Sequence, residues 1–286
     1  MNRKCKIVAE GCCNHMGNIE IAKEMTRIAK ICGADYIKWQ KRKPEISVPE
    51  HYHNEPHPNP ANSFGNTYLE HRKNLEFSME QHIELMKEAN KNGIGYACSV
   101  WDIPSAQEII SLNPDFIKIP SAMNSNVPLL EYVFNNYKNK IHISTGMMTI
   151  EEKNNLKNFI IDKNPDQFVI YHTTTEYPCP FDHLYLLEIS NLKNTFKHVG
   201  YSGHNYGIAA DIATLTLGAS WIERHFTLDR TWKGTDQAAS LEPEGLRKLC
   251  RDIASVEKSL AYRENEMTKE EYFQRNKLKI VKNHLQ

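Results

Sequence analysis

The chain has 286 residues, 40% of them hydrophobic, and its 35 basic and 35 acidic side chains cancel to a formal net charge of zero. That balance gives no support to a nucleic-acid or anionic-membrane surface, although local lysines can still line a pocket for an acidic substrate. No apolar run approaches the ~20 residues that span a bilayer, and no signal-like segment precedes the first strand-like run at Lys6.

Strand-like and helix-like runs alternate from there. Strands are read at residues 6–10, 36–40, 95–100, 116–121, 141–147, 168–174, 198–204 and 221–227. Between the first two, Ile21, Met25, Ile28 and Ala29 share one helical face, and Gly33 suits the left-handed C-cap. The connection over residues 41–77 is unusually long, with His51, His53, His57 and four prolines between Pro49 and Pro60. Loops of this length serve as lids or binding loops, and we read a substrate-covering or interface loop rather than a metal-binding histidine tract. Ser78 with Gln81 opens the next helix with a capping box, and Thr149 with Glu151 and Glu152 opens another. Glu242-Pro-Glu-Gly starts the last long helix, which is expected to reach about Tyr262.

Eight strands each followed by a helix predict a (β/α)8 TIM barrel, a single domain over residues 1–262 with a short C-terminal helical tail over 263–286. A doubly wound open sheet is the second choice, but no Gly-rich loop follows the first strand. The seven cysteines form no CxxC pair, and Cys12 and Cys13 are adjacent. Reduced thiols in a cytoplasmic protein are expected.

Barrel active sites lie at the C-terminal strand ends. The polar residues there are Glu10, Lys38 and Gln40, Ser99, Lys118 with Ser121, Ser144, the run His172 to Thr175 with Tyr177, Ser202 with His204, and Glu223 with His225. Side chains alternate along a strand, so Gly200, Ser202 and His204 share a face, as do Glu223 and His225. Two histidines ending neighbouring parallel strands converge on one point, where a metal ion fits. Lysines inside apolar strands are rarely buried unpartnered. Lys38 and Lys118, with hydroxyls at equivalent depth, suit a phosphate or carboxylate. The turns at Ser144 and Ser202 are expected to add backbone N–H donors at helix starts. Two chemistries fit, a Schiff-base aldolase using Lys118 and metal-assisted carbon–carbon bond formation; only the second uses both histidines.

The stretch Ile7-Val-Ala-Glu10-Gly-Cys-Cys-Asn14-His15-Met-Gly17 resembles the opening of the sialic acid synthases, which make N-acetylneuraminate, legionaminate and pseudaminate. The likeness continues through Gly33-Ala-Asp-Tyr-Ile-Lys38-Trp-Gln40, Lys118-Ile-Pro-Ser121, Ser144-Thr-Gly-Met147, Tyr201-Ser-Gly-His204, Glu223-Arg-His225-Phe-Thr and Gly234-Thr-Asp236 to Pro243. The resemblance implies condensation of phosphoenolpyruvate with an aldose, usually an N-acetylated hexosamine, to a nine-carbon 2-keto-3-deoxy acid and phosphate. C3 of phosphoenolpyruvate attacks the aldehyde carbon, water adds at C2, and phosphate leaves by C–O cleavage. It further implies a divalent metal, typically Mn2+ with Mg2+ or Co2+ as alternatives, on His204 and His225. Lys38, Ser99, Lys118, Ser144 and Ser202 would cradle phosphoenolpyruvate, with Ser121 beside them. Glu10, Gln40, Thr175, Tyr177 and Asp236 would face the acceptor, and Glu10 or Glu223 would take the water's proton.

Departures from the family pattern are Ser99 where threonine is common, Met123 where some relatives carry an acid and Thr175 for asparagine; loss of the last two acceptor contacts, with the arginine that the expected-absent C-terminal domain would supply, points to a different or less decorated aldose. The run from Gln274 to Lys282 resembles the family's linker, so the expectation is a form without the C-terminal antifreeze-like domain. The partners implied are the two small-molecule substrates and, compatibly, a second copy of the chain as a homodimer, with no nucleic acid and no membrane. A seven- or eight-carbon keto-deoxy sugar acid (phosphate) synthase is the neighbouring alternative, and a binding protein that has lost turnover is the non-catalytic one.

Overall fold

A computed structural model describes residues 4–161 and 163–280. The elements run β1 (Lys6–Glu10), α1 (Ile19–Cys32), β2 (Tyr36–Lys41), α2 (Pro44–Ser47), α3 (Tyr68–Asn74), α4 (Met79–Asn92), β3 (Gly95–Val100), α5 (Ile103–Leu112), β4 (Phe116–Ile119), α6 (Val127–Asn136), β5 (Lys140–Ser144), α7 (Ile150–Ile161), β6 (Phe168–His172), α8 (Glu188–Lys193), β7 (Val199–Gly203), α9 (Ala209–Thr216), β8 (Trp221–His225), α10 (Pro243–Ser259) and α11 (Lys269–Leu278). All eight strands pair in parallel, and β8 returns to β1, so the sheet closes into a barrel in chain order. The (β/α)8 architecture expected from the alternation is present.

Local chemistry sets the helix ends. Asn18 caps α1, and Gly33 at φ 96° closes it with N–H bonds back to Ala29 and Lys30. Ser78 and Gln81 form the predicted capping box on α4. The Thr149 hydroxyl accepts the Glu152 N–H while the Glu152 carboxylate accepts the Thr149 N–H, starting α7. The last five strands stop one to three residues short of the expected ends, at Ile119, Ser144, His172, Gly203 and His225. There the chain leaves the ladder to form the barrel mouth: Pro120 has no N–H to give, and Met147 turns through a positive φ of 60°.

The strand pleat sorts residues into two layers. Outward Ile7, Ile37, Ile117, Ile141, Ile170 and Ile222 pack against Met25, Leu85, Ile109, Val133 and Leu249 of the helical jacket. Inward Val8, Ala97, Phe116, Val169, Tyr171 and Trp221 fill the barrel floor with Tyr36. Two residues further along each strand, the same inward face carries Glu10, Lys38, Lys118, Ser144, Ser202 and Glu223. A Cβ on Gly200 would lie 2.5 Å from the Tyr171 ring, and one on Gly95 2.2 Å from Tyr36, so both glycines make room for floor aromatics.

The segment between β2 and α4 folds back over the mouth. His57 packs on Tyr68 at 5.7 Å and His71 at 4.5 Å, a cluster of rings. Beyond the barrel, α11 has no buried residue, and Val281 and Lys282 of the linker-like run lie outside the described residues. No helix among the described residues is long and apolar enough to cross a membrane.

Candidate active site

One cavity of about 270 Å³ opens at the C-terminal ends of the strands. Among the residues singled out in the sequence, Glu10, Lys38, Gln40, Ser99, Lys118, Ser121, Ser144, Thr175, Tyr177, Ser202, His204, Glu223, His225 and Asp236 line it. His172 does not, because its parity turns it outward, where its Nε2 lies 2.7 Å from the Leu184 carbonyl oxygen. The turns at Ser144 and Ser202 are not helix starts either: α7 begins at Ile150 and α9 at Ala209. Instead, Asn124 Nδ2 donates to the carbonyls of Ser144 at 2.9 Å and Gly146 at 2.8 Å, pinning the loop after β5.

The lysines share carboxylates deep in the barrel. Lys118 Nζ donates to Glu223 Oε1 at 2.5 Å, and Ser202 Oγ donates to the same oxygen at 3.1 Å. Lys38 lies 3.7 Å from Glu223 Oε2, contacts Glu10 Oε2, and donates to Ser99 Oγ at 2.7 Å. Burial lowers both ammonium pKa values; at Lys38 the attraction of Glu10 and Glu223 outweighs it and the pKa rises, while at Lys118 burial wins. Burial also raises both carboxyls. At Glu223 the pull of Lys118 and Lys38 overrides it, bringing the pKa down to about 2; at Glu10 burial prevails and the pKa is raised to about 7. Two lysines therefore sit in a buried well beside one firmly ionised carboxylate. Tyr171 supports the well from below, its ring 4.7 Å from Lys118 Nζ and its hydroxyl 3.0 Å from His142 Nδ1.

The two histidines meet at the rim, with ring centroids 5.4 Å apart. Tyr177 covers them, 4.0 Å from the His204 ring and edge-on to His225 at 5.8 Å. His204 Nδ1 lies 2.8 Å from the Thr174 carbonyl oxygen, a partner that accepts only N–H, so Nε2 keeps its lone pair. His225 Nδ1 is buried with no hydrogen-bond partner among the described residues. Burial lowers both imidazole pKa values, to about 3 at His204, so both rings are neutral at pH 7. Two neutral nitrogens, one of them buried and unpaired, with Asp236 and Cys12 nearby, fit a divalent cation.

Sequence reading missed Cys12, Arg42, Arg72 and Trp101, which also line the cavity. Arg42 stacks over Trp101 at 3.8 Å and pairs with Glu76 at 3.0 Å. Arg72 donates to the Tyr68 hydroxyl at 2.7 Å, and among the described residues no carboxylate pairs with it. The long loop gave the only signal for Arg72, because the distance between α3 and the mouth is a tertiary fact.

A profile of the NeuB family matches residues 25–265. The chain is 38% identical over 258 residues to N-acetylneuraminate-9-phosphate synthase of Homo sapiens, covering 90% of this chain and 71% of that one. It is 34% identical over 261 residues to N,N'-diacetyllegionaminic acid synthase of Campylobacter jejuni, covering 90% and 78%. Among solved structures, the N-acetylneuraminic acid synthetase of Leptospira borgpetersenii, in complex with citrate, superposes with a TM-score of 0.80 at 27% identity, covering 97% of this chain and 93% of that one.

Proposed function

The chain belongs to the NeuB family and is a phosphoenolpyruvate-dependent sugar-acid synthase, and we propose that the cavity residues divide its work as follows. Lys38 and Lys118, with Ser99, Ser144 and Ser202, hold the phosphate and carboxylate of phosphoenolpyruvate; Ser121 and Thr175 line the same wall. The observation that carries this assignment is the pair of buried lysines converging on Glu223, more positive than negative charge at one place that an anionic ligand offsets. Gln40, Tyr177, Asp236 and the two arginines face the acceptor.

Glu223 is engaged at both oxygens by Lys118, Ser202 and Lys38, and serves as an ionised anchor. Glu10 meets Lys38 at Oε2, and its Oε1 would take the proton of the water that adds at C2. His204 and His225 would hold the cation, most suitably Mn2+ or another ion of that group; bound there, it would supply Lewis-acid polarisation of the acceptor carbonyl. Arg72, held at the Tyr68 hydroxyl with no carboxylate at ion-pair distance among the described residues, favours an acceptor that bears an anionic group such as a phosphate. Among the described residues the cysteines form no disulfide, which accords with a cytoplasmic setting, and a homodimer is compatible with the barrel.

The test is phosphate release from phosphoenolpyruvate with Mn2+ and a panel of aldoses, each offered free and phosphorylated. Release should depend on aldose and be faster with the phosphorylated member of a pair. No release with any aldose would remove the synthase assignment; equal rates within pairs would remove the anionic acceptor alone.

A further inference from the structure

Building on the assignment of His204 and His225 as cation ligands, we propose that the Cys12 thiolate and the Asp236 carboxylate complete that site, and that it selects a thiophilic divalent cation, Co2+ or Zn2+, over Mg2+. The ligating atoms of Cys12, His225 and Asp236 all lie within 4.8 Å of one another. Donors about 2.0–2.3 Å from one tetrahedral ion stand roughly 3.3–3.8 Å apart, so small side-chain motions bring all three onto one centre. Cys12 Sγ is 2.9 Å from Asp236 Oδ2, to which it donates, and it receives the Gln40 side-chain amide on its other side. Independently, His225 is 8% exposed and its Nδ1 is buried with no partner, an unmet donor pair at the same place.

Both donors are set by the backbone. After β1 the chain turns, and Cys12 adopts a positive φ of 46°, unusual for a residue with a Cβ. Asn14 Nδ2 donates to Ser240 Oγ at 2.9 Å, and Ser240 Oγ donates to the Asp236 carbonyl at 2.6 Å. Gln237 Nε2 returns to the Asn14 carbonyl at 3.1 Å. The turn bearing Cys12 is thereby tied to the turn bearing Asp236. On binding, the S–H bond breaks, its proton passes to solvent, and sulfur donates its electron pair to the cation with no change of oxidation state. A sulfur ligand penalises a hard cation such as Mg2+, which prefers oxygen, and favours Co2+ and Zn2+.

The experiment titrates metal-stripped protein with Co2+ alone and reads the absorption spectrum. The expected result is visible ligand-field bands with a near-ultraviolet thiolate-to-cobalt charge-transfer band. Cys12→Ser and Cys12→Ala should lose the charge-transfer band, keep the ligand-field bands and bind at least about tenfold more weakly. Asp236→Asn should keep both bands with weaker binding, and Mg2+ in large excess should leave the wild-type spectrum unchanged. Ligand-field bands without a charge-transfer band in the wild type, or a charge-transfer band that survives both Cys12 variants, would overturn the thiolate ligand while leaving the histidines in place. No cobalt spectrum at all would overturn both this inference and the cation reading beneath it.

Discussion

Lys118 is surrounded by groups that need its charge: Glu223 at 2.5 Å and the Tyr171 ring at 4.7 Å. Hydrogen bonds to charged groups contribute about 1.5–3 kcal/mol each, so Lys118→Met should raise the phosphoenolpyruvate KM by roughly 10- to 150-fold at ~1.4 kcal/mol per decade. An unchanged KM would take Lys118 out of the donor cradle. The Glu223 contact also holds Lys118 Nζ in place as a hydrogen-bond donor, so borohydride in the presence of substrate should trap no adduct there. His225→Ala should abolish metal uptake and turnover while its circular dichroism stays that of the wild type, because the ring sits at the rim and not in the floor. Retained turnover after that change would place the cation elsewhere.

The barrel's strands tolerate little change where a glycine meets an aromatic ring. Gly200→Ala on β7 would drive a methyl to 2.5 Å from Tyr171, a ring with no exposed surface and no room to retreat. Overpacking of this kind costs about 1–3 kcal/mol, and the displaced ring is the one beneath Lys118. Both the denaturant midpoint and kcat/KM should therefore fall, and wild-type values for either would show that the floor is softer than this packing implies. The insertion between β2 and α4 makes a separate claim. Arg72→Ala on α3 should raise the KM for a phosphorylated aldose about tenfold or more and leave that for phosphoenolpyruvate unchanged. Parallel rises in both would make the insertion a general support of the mouth. Composition reports residue types and not neighbours, so the sequence could not say what its histidines touch; in the fold, His57 and His71 pack on Tyr68 and on each other.

Across the whole molecule, buried neutral histidines govern acid stability. His15 and His82 flank Phe77, one stacked at 3.9 Å and the other edge-on at 6.2 Å. Burial lowers both pKa values from 6.5 to about 3. The folded state thus keeps these rings neutral while the unfolded chain protonates them below pH 6.5. The stability they carry is whole above that value and drains as pH falls toward about 3, by roughly 1.4 kcal/mol per pH unit for each ring. Urea midpoints between pH 7 and 4 should fall accordingly, and His82→Leu should flatten the slope by about one proton despite stranding the Tyr96 hydroxyl 2.7 Å from His82 Nδ1. An identical slope in the variant would assign acid sensitivity to the carboxylates instead.

Much of this architecture was legible because it follows from periodicity. Alternation along β7 and β8 put Ser202 with His204 and Glu223 with His225, and the eightfold βα rhythm named the barrel; both depend only on neighbours along the chain. What distance along the chain hides was decided by tertiary structure. Glu10 and Glu223 are the same residue type at the same kind of position, yet one is pushed up to about 7 and the other held at about 2. The closed barrel brings the same two ammonium groups to both, but at Glu10 burial and the charge of Glu223 outweigh them. Cys12 met Asp236, 224 positions later, for the same reason: closure of β8 onto β1 joins the first turn of the barrel to the last, and electrostatics acts through space.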